Sequence, residues 1–217
     1  MSHLVVGIWL FLLFCARVPG QDAEFDVWLE SLDRGPSLGP PEVFRSGIIS
    51  ARSLAHKPLP KARQEFNRGM QARLKGHAAD ATEHFAAAAR LDPNFVDANA
   101  YAALVHAEAH QPSRALPYYQ QAVRLEPANA ALLTNLAGVL IALYRPADAE
   151  GAARRAVRLA PGSVEAHYML GFALFGQGEA TEETAAHLTI AAEKYAPARQ
   201  MLATVRRNSL SAANERK

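Results

Sequence analysis

The chain has 217 residues, of which 50% are hydrophobic and 20% charged, and its 23 Lys and Arg against 21 Asp and Glu leave a formal net charge of +2. A composition this apolar excludes a wholly disordered protein, and the near-neutral balance excludes a dedicated nucleic-acid-binding protein, which needs a cationic excess. A single cysteine excludes an internal disulfide framework, and the length suits one or two domains with a sizeable core.

The N-terminus carries an unbroken apolar run over residues 4–15, followed by Ala16 and Arg17. As a helix these residues would span about 18 Å, well short of the roughly 30 Å hydrocarbon core of a bilayer. This length is typical of a secretory signal peptide, and small residues before Gln21 predict cleavage after Gly20. We therefore expect residues 1–20 to be removed and the protein to be secreted or periplasmic. Because no Lys or Arg precedes the run, an uncleaved N-terminal membrane anchor is the alternative.

Residues 21–60 are predicted to form a lead-in segment before the main domain. Apolar residues at helical spacing predict one short amphipathic helix in it, namely Phe25, Trp28, Leu29 and Leu32. Proline and glycine over residues 35–41 end that helix and predict a linker. Pro60 is well placed as the first residue of the next helix.

A repeat of 34 residues organises the rest of the chain. Residues 88–93, 122–127 and 156–161 spell AARLDP, AVRLEP and AVRLAP, so that their prolines are 34 residues apart. Placing these prolines at position 32 defines units 62–95, 96–129 and 130–163, and a degenerate unit 164–197. Small residues then recur at position 8, as Gly69, Ala103, Ala137 and Gly171, and alanine recurs at positions 20 and 27. A fixed period of this length predicts a stack of identical supersecondary units.

This pattern resembles the tetratricopeptide repeat (TPR) family, in a form typical of exported bacterial envelope proteins. The resemblance implies an all-α, right-handed solenoid in which each unit is a hairpin of a helix A and a helix B. Small residues at positions 8, 20 and 27 would allow close helix packing, and an aromatic residue at position 24, here Phe85 and Tyr119, would fill the space between units. The TPR array is expected over residues 61–197.

The fourth unit matches the repeat only if two residues are inserted after Gly178. Ala185, Thr189, Ala192 and Pro197 then take positions 20, 24, 27 and 32. Beyond Pro197, residues 198–207 have one apolar and one charged side, which predicts the capping helix that repeat arrays need for solubility. Residues 208–217 are predicted to be a polar tail.

Catalysis and metal binding have little support in the sequence. His106 and His110 would share a helix face, but Glu108 would point away from both, and zinc needs three or four ligands. His106 is expected to pack between helices and His110 to lie in a turn. We therefore expect no catalytic residue, no metal and no cofactor, and a protein that is not an enzyme.

Function is expected on the A helices, which in the resembled family line a concave groove. Carried over position by position, the residues that would contact a partner are Arg63, Phe66, Asn67, Met70, Tyr101, Leu104, Asn135, Ile141, Tyr168 and Phe172. Such an apolar and aromatic stripe with a few amides suits a peptide or helix of a partner protein. We therefore predict an exported scaffold for protein–protein interaction.

Three alternatives accompany this prediction. The carboxylate clamp of chaperone-binding relatives is disfavoured, because its cationic positions hold Phe66, Ala131 and Asn135, or Ala100, Glu165 and Met169. The groove could instead be covered by the chain's own lead-in segment or C-terminal helix. The chain could also be an accessory subunit of a membrane-associated envelope complex, anchored by its N-terminal segment.

Overall fold

The computed structural model describes residues 56–214, with side chains described through Ser209. In that range the chain forms nine α-helices and no strand. The helices are α1 (Pro60–Leu74), α2 (Ala78–Leu91), α3 (Val96–Glu108), α4 (Pro112–Leu125), α5 (Ala130–Ala142), α6 (Pro146–Leu159), α7 (Val164–Gly176), α8 (Glu182–Ala192) and α9 (Ala196–Asn214). The predicted signal peptide and the predicted helix of the lead-in segment lie outside the described residues.

The first eight helices pack as four successive hairpins, α1 with α2, α3 with α4, α5 with α6, and α7 with α8. Each second helix also packs against the first helix of the next hairpin, and α9 packs against both α8 and α7. Because a single hairpin cannot bury its apolar face, the array is stabilised by these contacts between neighbours. The predicted all-α repeat solenoid is confirmed.

The helix termini follow from the local sequence. Proline begins α1, α4 and α6, where its missing N–H would have had no partner within the helix. The side chains of Asn129, Ser163 and Thr181 each accept a hydrogen bond from the backbone N–H three residues further on, at 3.2 Å. These N-caps satisfy one of the free donors at the starts of α5, α7 and α8.

The turn inside every hairpin uses one residue with a positive φ, always at position 15 of its unit. Gly76 and Gly178 adopt φ values of 77° and 81°, whereas His110 and Tyr144 adopt 54° and 57°. Glycine tolerates this left-handed conformation, while a residue with a Cβ atom is strained there. The turn geometry is therefore common to all units, although only two of them have glycine at this position.

Small residues allow the close helix packing that the repeat predicts. Alanine at positions 20 and 27 is buried in each of the first three units. At position 8, a Cβ atom on Gly69 would lie only 2.8 Å from the ring atoms Cδ1 and Cε1 of Phe85. The ring of Phe85 thus occupies the space that a larger residue at this position would need.

The predicted register of the fourth unit is wrong by one residue. Gly171 faces Leu188, since a Cβ atom on this glycine would lie 2.8 Å from Leu188 Cδ2, so Leu188 rather than Thr189 takes position 24. Thr184, Leu188 and Ala191 are fully buried, whereas the predicted core residues Ala185, Thr189 and Ala192 are more exposed. A shift of one residue turns a helix by about 100°, and close packing against Gly171 selects the face that is buried.

Pro197 also differs from the prolines that define the repeat. Pro93, Pro127 and Pro161 lie between helices, whereas Pro197 is the second residue of α9. Helix α8 has 11 residues against 14 in α2, α4 and α6, so the next helix begins earlier. Proline is accepted here because its missing N–H is one of those that a helix leaves free.

The carbonyl oxygens of the three earlier prolines accept hydrogen bonds from side chains of the following unit. Pro93 accepts from Asn99 and Gln121, Pro127 accepts from Arg155, and Pro161 accepts from His167.

Helix α9 takes the place of the predicted capping helix and is longer than predicted. It begins at Ala196 and continues to Asn214, so it includes most of the segment that was expected to be a polar tail. Ala198, Met201, Leu202 and Val205 are buried, while Arg199, Arg206 and Arg207 are exposed. This one-sided burial is what a helix needs to cover the last hairpin.

Candidate partner-binding groove

The predicted groove residues fall into two groups by their exposure. In the first two units Arg63 and Asn67 are exposed, and Phe66, Met70 and Tyr101 are partly buried. The remaining five are buried, with 2% of Leu104, 1% of Asn135, 8% of Ile141, 5% of Tyr168 and 7% of Phe172 exposed. The solvent-accessible part of the predicted groove therefore belongs to α1 and the first half of α3.

An aromatic cluster forms the apolar part of this accessible surface. The Phe66 ring lies 5.4 Å from Phe85, 5.0 Å from Phe95 and 5.4 Å from Tyr101 between centroids, the last pair being edge to face. Met70 packs against the same cluster. Phe85 and Phe95 are buried, whereas Phe66 and Tyr101 each keep one part accessible. Aromatic side chains held in this way offer contact area to a partner at little loss of conformational freedom.

An ion pair connects the A helices of the first two units. The two terminal guanidinium nitrogens of Arg73 on α1, Nη1 and Nη2, donate to the carboxylate of Glu108 on α3, at 2.5 and 2.9 Å. These hydrogen bonds raise the pKa of the Arg73 guanidinium. Roughly a quarter of each side chain is exposed, 28% for Arg73 and 27% for Glu108. The pair was not predicted, because the two residues are 35 positions apart and no local pattern joins them.

Three buried polar atoms of the described chain have no hydrogen-bond partner, two of them on the A helices α3 and α5 and one on the B helix α4. They are Oδ1 of Asp97, the hydroxyl oxygen of Tyr119 and Oδ1 of Asn135. Burial raises the pKa of Tyr119 far above its ordinary value, and the Glu108 carboxylate adds to this shift. The side chain of Asn135 lowers the pKa of Tyr119, although the Tyr119 hydroxyl and the Asn135 amide oxygen do not meet with hydrogen-bonding geometry.

Burial also raises the pKa of Asp97, and the negative charge of Glu126 raises it further. An unpaired buried polar atom costs about 1–3 kcal/mol, which a ligand that supplies the missing partner would recover.

The buried aromatic residues of the fourth unit contact the segment that leads into α9. Tyr168 stacks on Tyr195 with centroids 4.5 Å apart, and Phe172 meets Tyr168 edge to face at 6.0 Å. The ammonium of Lys194 donates to Glu165 Oε1 at 2.6 Å, beside the same stack. The sequence did not predict that Tyr195 belongs to this region. The register predicted for the fourth unit placed Tyr195 at the end of its helix B, whereas in the structure Tyr195 lies between α8 and α9.

A separate cleft of about 750 Å³ opens between α2, α3 and α4. Its lining includes Glu83, Arg90, Arg114 and Tyr118, and lies on the B-helix side of the first two units rather than on the predicted groove. Tyr118 is partly buried, as Tyr101 is, and packs against the same hydrophobic cluster, but Tyr118 lines the cleft rather than the predicted groove.

The two histidines considered as metal ligands have other roles. His106 is 7% exposed, its Nδ1 lies 3.1 Å from Gln111 Oε1, and its ring stacks on Tyr118. His110 is the left-handed turn residue of its hairpin. Both positions agree with the prediction of a packed and a turn histidine. Over residues 56–214, no group of three or more His, Cys, Asp or Glu side chains is arranged to hold a metal ion.

Comparison with solved structures places this array of hairpins among TPR folds. A double mutant of MamA RS-1 has 20% sequence identity and a TM-score of 0.63, with 73% of this chain and 92% of that chain covered. YrrB, described as a TPR protein with an unusual peptide-binding site, has 21% identity and a TM-score of 0.61, with 74% and 84% covered. The first TPR of Spaghetti (RPAP3), bound to the HSP90 peptide SRMEEVD, has 18% identity and a TM-score of 0.51, with 54% and 94% covered.

These similarities establish the fold: the chain is a TPR-type solenoid, as its repeat predicts. No family model and no curated protein matches the chain. Within residues 56–214, no helix has both the length and the apolar character required to span a bilayer.

Proposed function

We propose that this protein is a non-catalytic scaffold that binds a peptide or helix of a partner protein along its A helices. The observation that carries the proposal is the partly accessible aromatic surface of Phe66, Met70 and Tyr101, next to the exposed Arg63 and Asn67. The surface combines apolar contact area with polar groups that can fix the direction of a bound chain. Two of the similar solved proteins are described as having a peptide-binding site or a bound peptide.

The unpaired Asn135 amide oxygen supports a peptide rather than a purely apolar partner. Its acceptor is buried and has no hydrogen-bond partner among the described residues. A peptide backbone offers N–H donors at regular spacing, and one of them would recover the free energy that this oxygen loses by burial. The proposed ligand thus lies on the accessible surface of α1 and α3, and it would reach the buried Asn135 oxygen only by displacing the side chains that cover it.

The test is affinity capture from the native envelope fraction, followed by competition with synthetic peptides from the captured protein. Tyr101→Ala removes a partly exposed ring of the proposed surface, and Asn67→Arg changes an exposed amide beside it. Tyr118→Ala is the matched control, because it removes a comparable tyrosine from the cleft on the B-helix side. We expect both surface variants to lose the partner and the control to retain it. Equal retention by all three folded variants would exclude this surface.

A deletion variant shows whether the groove is occupied by a partner protein or by the chain's own lead-in segment. Deletion should stop at residue 55, because Pro58 is buried and His56 bonds to Asp92. If the deleted protein keeps its thermal stability, the lead-in segment does not cover the groove, and partner capture should persist. A large loss of stability together with stronger peptide binding would show that this segment is the natural occupant.

We also propose that the protein is exported, with residues 1–20 as its signal peptide and the bacterial periplasm or exterior as its destination. The support is the short apolar run over residues 4–15 and the small residues before Gln21. The alternative role, as a membrane-anchored accessory subunit of an envelope complex, requires the same segment to be retained. N-terminal sequencing of the protein from its native host distinguishes them: a chain beginning at Gln21 supports cleavage, and one beginning at residue 1 in the membrane fraction supports the anchor.

A further inference from the structure

Two histidines meet inside the fourth hairpin, away from the proposed binding surface. His167 on α7 is 7% exposed, and the side chain of His187 on α8 is 16% exposed. Their Nδ1 atoms are 2.8 Å apart, and the rings are tilted with centroids 5.0 Å apart. The other ring nitrogen of His167, Nε2, lies 2.9 Å from the carbonyl oxygen of Pro161. A short contact between two titratable rings makes their protonation states interdependent.

The geometry assigns a proton to each ring of the neutral pair. The Pro161 carbonyl can only accept, so His167 Nε2 must donate and His167 Nδ1 must carry the lone pair. His187 Nδ1 therefore donates to His167 Nδ1. This leaves the lone pair of His187 on Nε2, which faces Glu183 Oε1 at 3.8 Å.

The pair can accept one more proton without losing these hydrogen bonds, but not two. The first added proton binds at His187 Nε2, where the Glu183 carboxylate attracts it. A second proton has only His167 Nδ1 left, and there it would face the N–H of His187 at 2.8 Å. Two positive rings with opposed donors at this distance repel each other, so the second proton must break the hydrogen bond between the two rings.

The surrounding charges do not compensate for this repulsion. Burial lowers the pKa of His187, and the charge of His167 lowers it further, while Glu183 opposes both. Arg154 on α6 pairs with Glu183 and adds positive charge on that side. From α9, Arg199 donates to the carbonyl of Ala192 at the other end of α8.

We propose that the His167–His187 pair is an acid-sensitive joint, whose double protonation releases α8, and α9 with it, from the rest of the array. Because burial lowers the pKa of His187 in the folded state, the neutral form of His187 stabilises the fold fully above the unfolded pKa of about 6.5. That stabilisation is lost as the pH falls below this value through the lowered folded pKa. The contact between Tyr168 and Tyr195 lies between α7 and the start of α9, so it would be lost with the joint.

The test measures urea unfolding of the full chain between pH 7.5 and pH 5.5. We expect the folded-to-unfolded ratio of the native protein to fall across this range, because burial lowers the pKa of His187 and the folded chain therefore binds its proton less readily than the unfolded chain. In His187→Asn the side-chain amide nitrogen can replace Nδ1 as the donor to His167 but cannot titrate, so this fall should largely disappear. His110→Asn is the matched control, because His110 is an exposed turn residue whose positive φ asparagine also tolerates. Its loss should leave the acid dependence as steep as before.

A second measurement on the native protein tests the joint even if His187→Asn does not fold. Imidazole signals in an NMR pH titration should show two separate steps for this pair, the second accompanied by shifts in the resonances of Tyr168 and Tyr195. Independent titration of both rings with ordinary values would overturn the proposal, as would an unchanged acid dependence in a folded His187→Asn variant. Neither measurement involves a groove ligand, so the outcome is independent of the proposed binding function.

Discussion

Replacing Gly69 by alanine tests whether position 8 is small because of packing. A Cβ atom there would lie 2.8 Å from Cδ1 and Cε1 of Phe85 and 3.1 Å from its Cγ. The Phe85 ring is fully buried and in contact with Phe66 and Tyr101, at 5.4 and 5.2 Å between centroids, so it has no free space to move into. Overpacking of this kind costs about 1–3 kcal/mol, against a gain of about 1 kcal/mol when alanine replaces glycine in a helix.

We therefore expect Gly69→Ala to lower the free energy of unfolding by about 1 kcal/mol. The assay is urea denaturation followed by far-ultraviolet circular dichroism. Gly151→Ala is the matched control, since Gly151 is an exposed residue of α6 with nothing within 4 Å of the added Cβ atom. It should raise the free energy of unfolding by about 0.5–1 kcal/mol.

A double variant identifies Phe85 as the cause. Truncating this ring to alanine removes the atoms that the new Cβ atom would meet, so Gly69→Ala should be stabilising in the Phe85→Ala background. Unit 130–163 already carries this combination, with Ala137 at position 8 and Ala153 at position 24. If Gly69→Ala stabilised the native protein as much as Gly151→Ala does, the packing explanation would be refuted.

Three further changes have expected outcomes that differ in sign. Tyr144→Gly removes the backbone strain of a non-glycine residue in the left-handed conformation, at a side chain that is 65% exposed. It should raise the free energy of unfolding by about 1 kcal/mol in urea denaturation; a decrease would show that this conformation is not strained. Asn135→Leu removes a side-chain amide whose buried oxygen has no hydrogen-bond partner. It should leave the free energy of unfolding unchanged or higher and should abolish capture of the partner; retained capture would exclude Asn135 from the site. Burial alone would raise the pKa of Asp92, but hydrogen bonds from the Leu59 backbone N–H and from His56 outweigh it and lower the pKa. The resulting stabilisation is present above the unfolded pKa of about 3.9 and is lost as the pH falls below it, so Asp92→Asn should destabilise the protein at pH 7 and flatten its acid unfolding curve; an unchanged curve would contradict this account.

The accuracy of the sequence-based predictions differs between the first three units and the fourth. Pro93, Pro127 and Pro161 define a period in which many positions repeat, and the resemblance of this repeat to the TPR family implies the hairpins and the closely packed alanines. In the fourth unit the repeated residues are too few, and Pro197 suggested an insertion of two residues. Packing of Leu188 against Gly171 shows a different register, and this contact joins two helices that sequence spacing alone cannot align.

The sequence names candidate groove residues, but it does not predict which of them are accessible. Family positions identify A-helix residues from Arg63 to Phe172, yet the same position is accessible in one unit and buried in another. Tyr101 and Asn135 both occupy position 6, but Tyr101 is partly accessible and Asn135 is 1% exposed. Exposure depends on what the neighbouring elements cover, and the sequence of one helix does not contain that information.

The 34-residue repeat, through its resemblance to the TPR family, was enough to predict the helices, their pairing into hairpins and the all-α solenoid, because each unit carries its own apolar face and its own turn residues. The near-neutral charge and single cysteine likewise excluded functions without reference to any structure. Only the tertiary structure decided the register of α8, the bond between Arg73 and Glu108, and the meeting of His167 with His187. These features join residues on different helices, and their energy depends on distances of a few ångströms that no sequence period specifies.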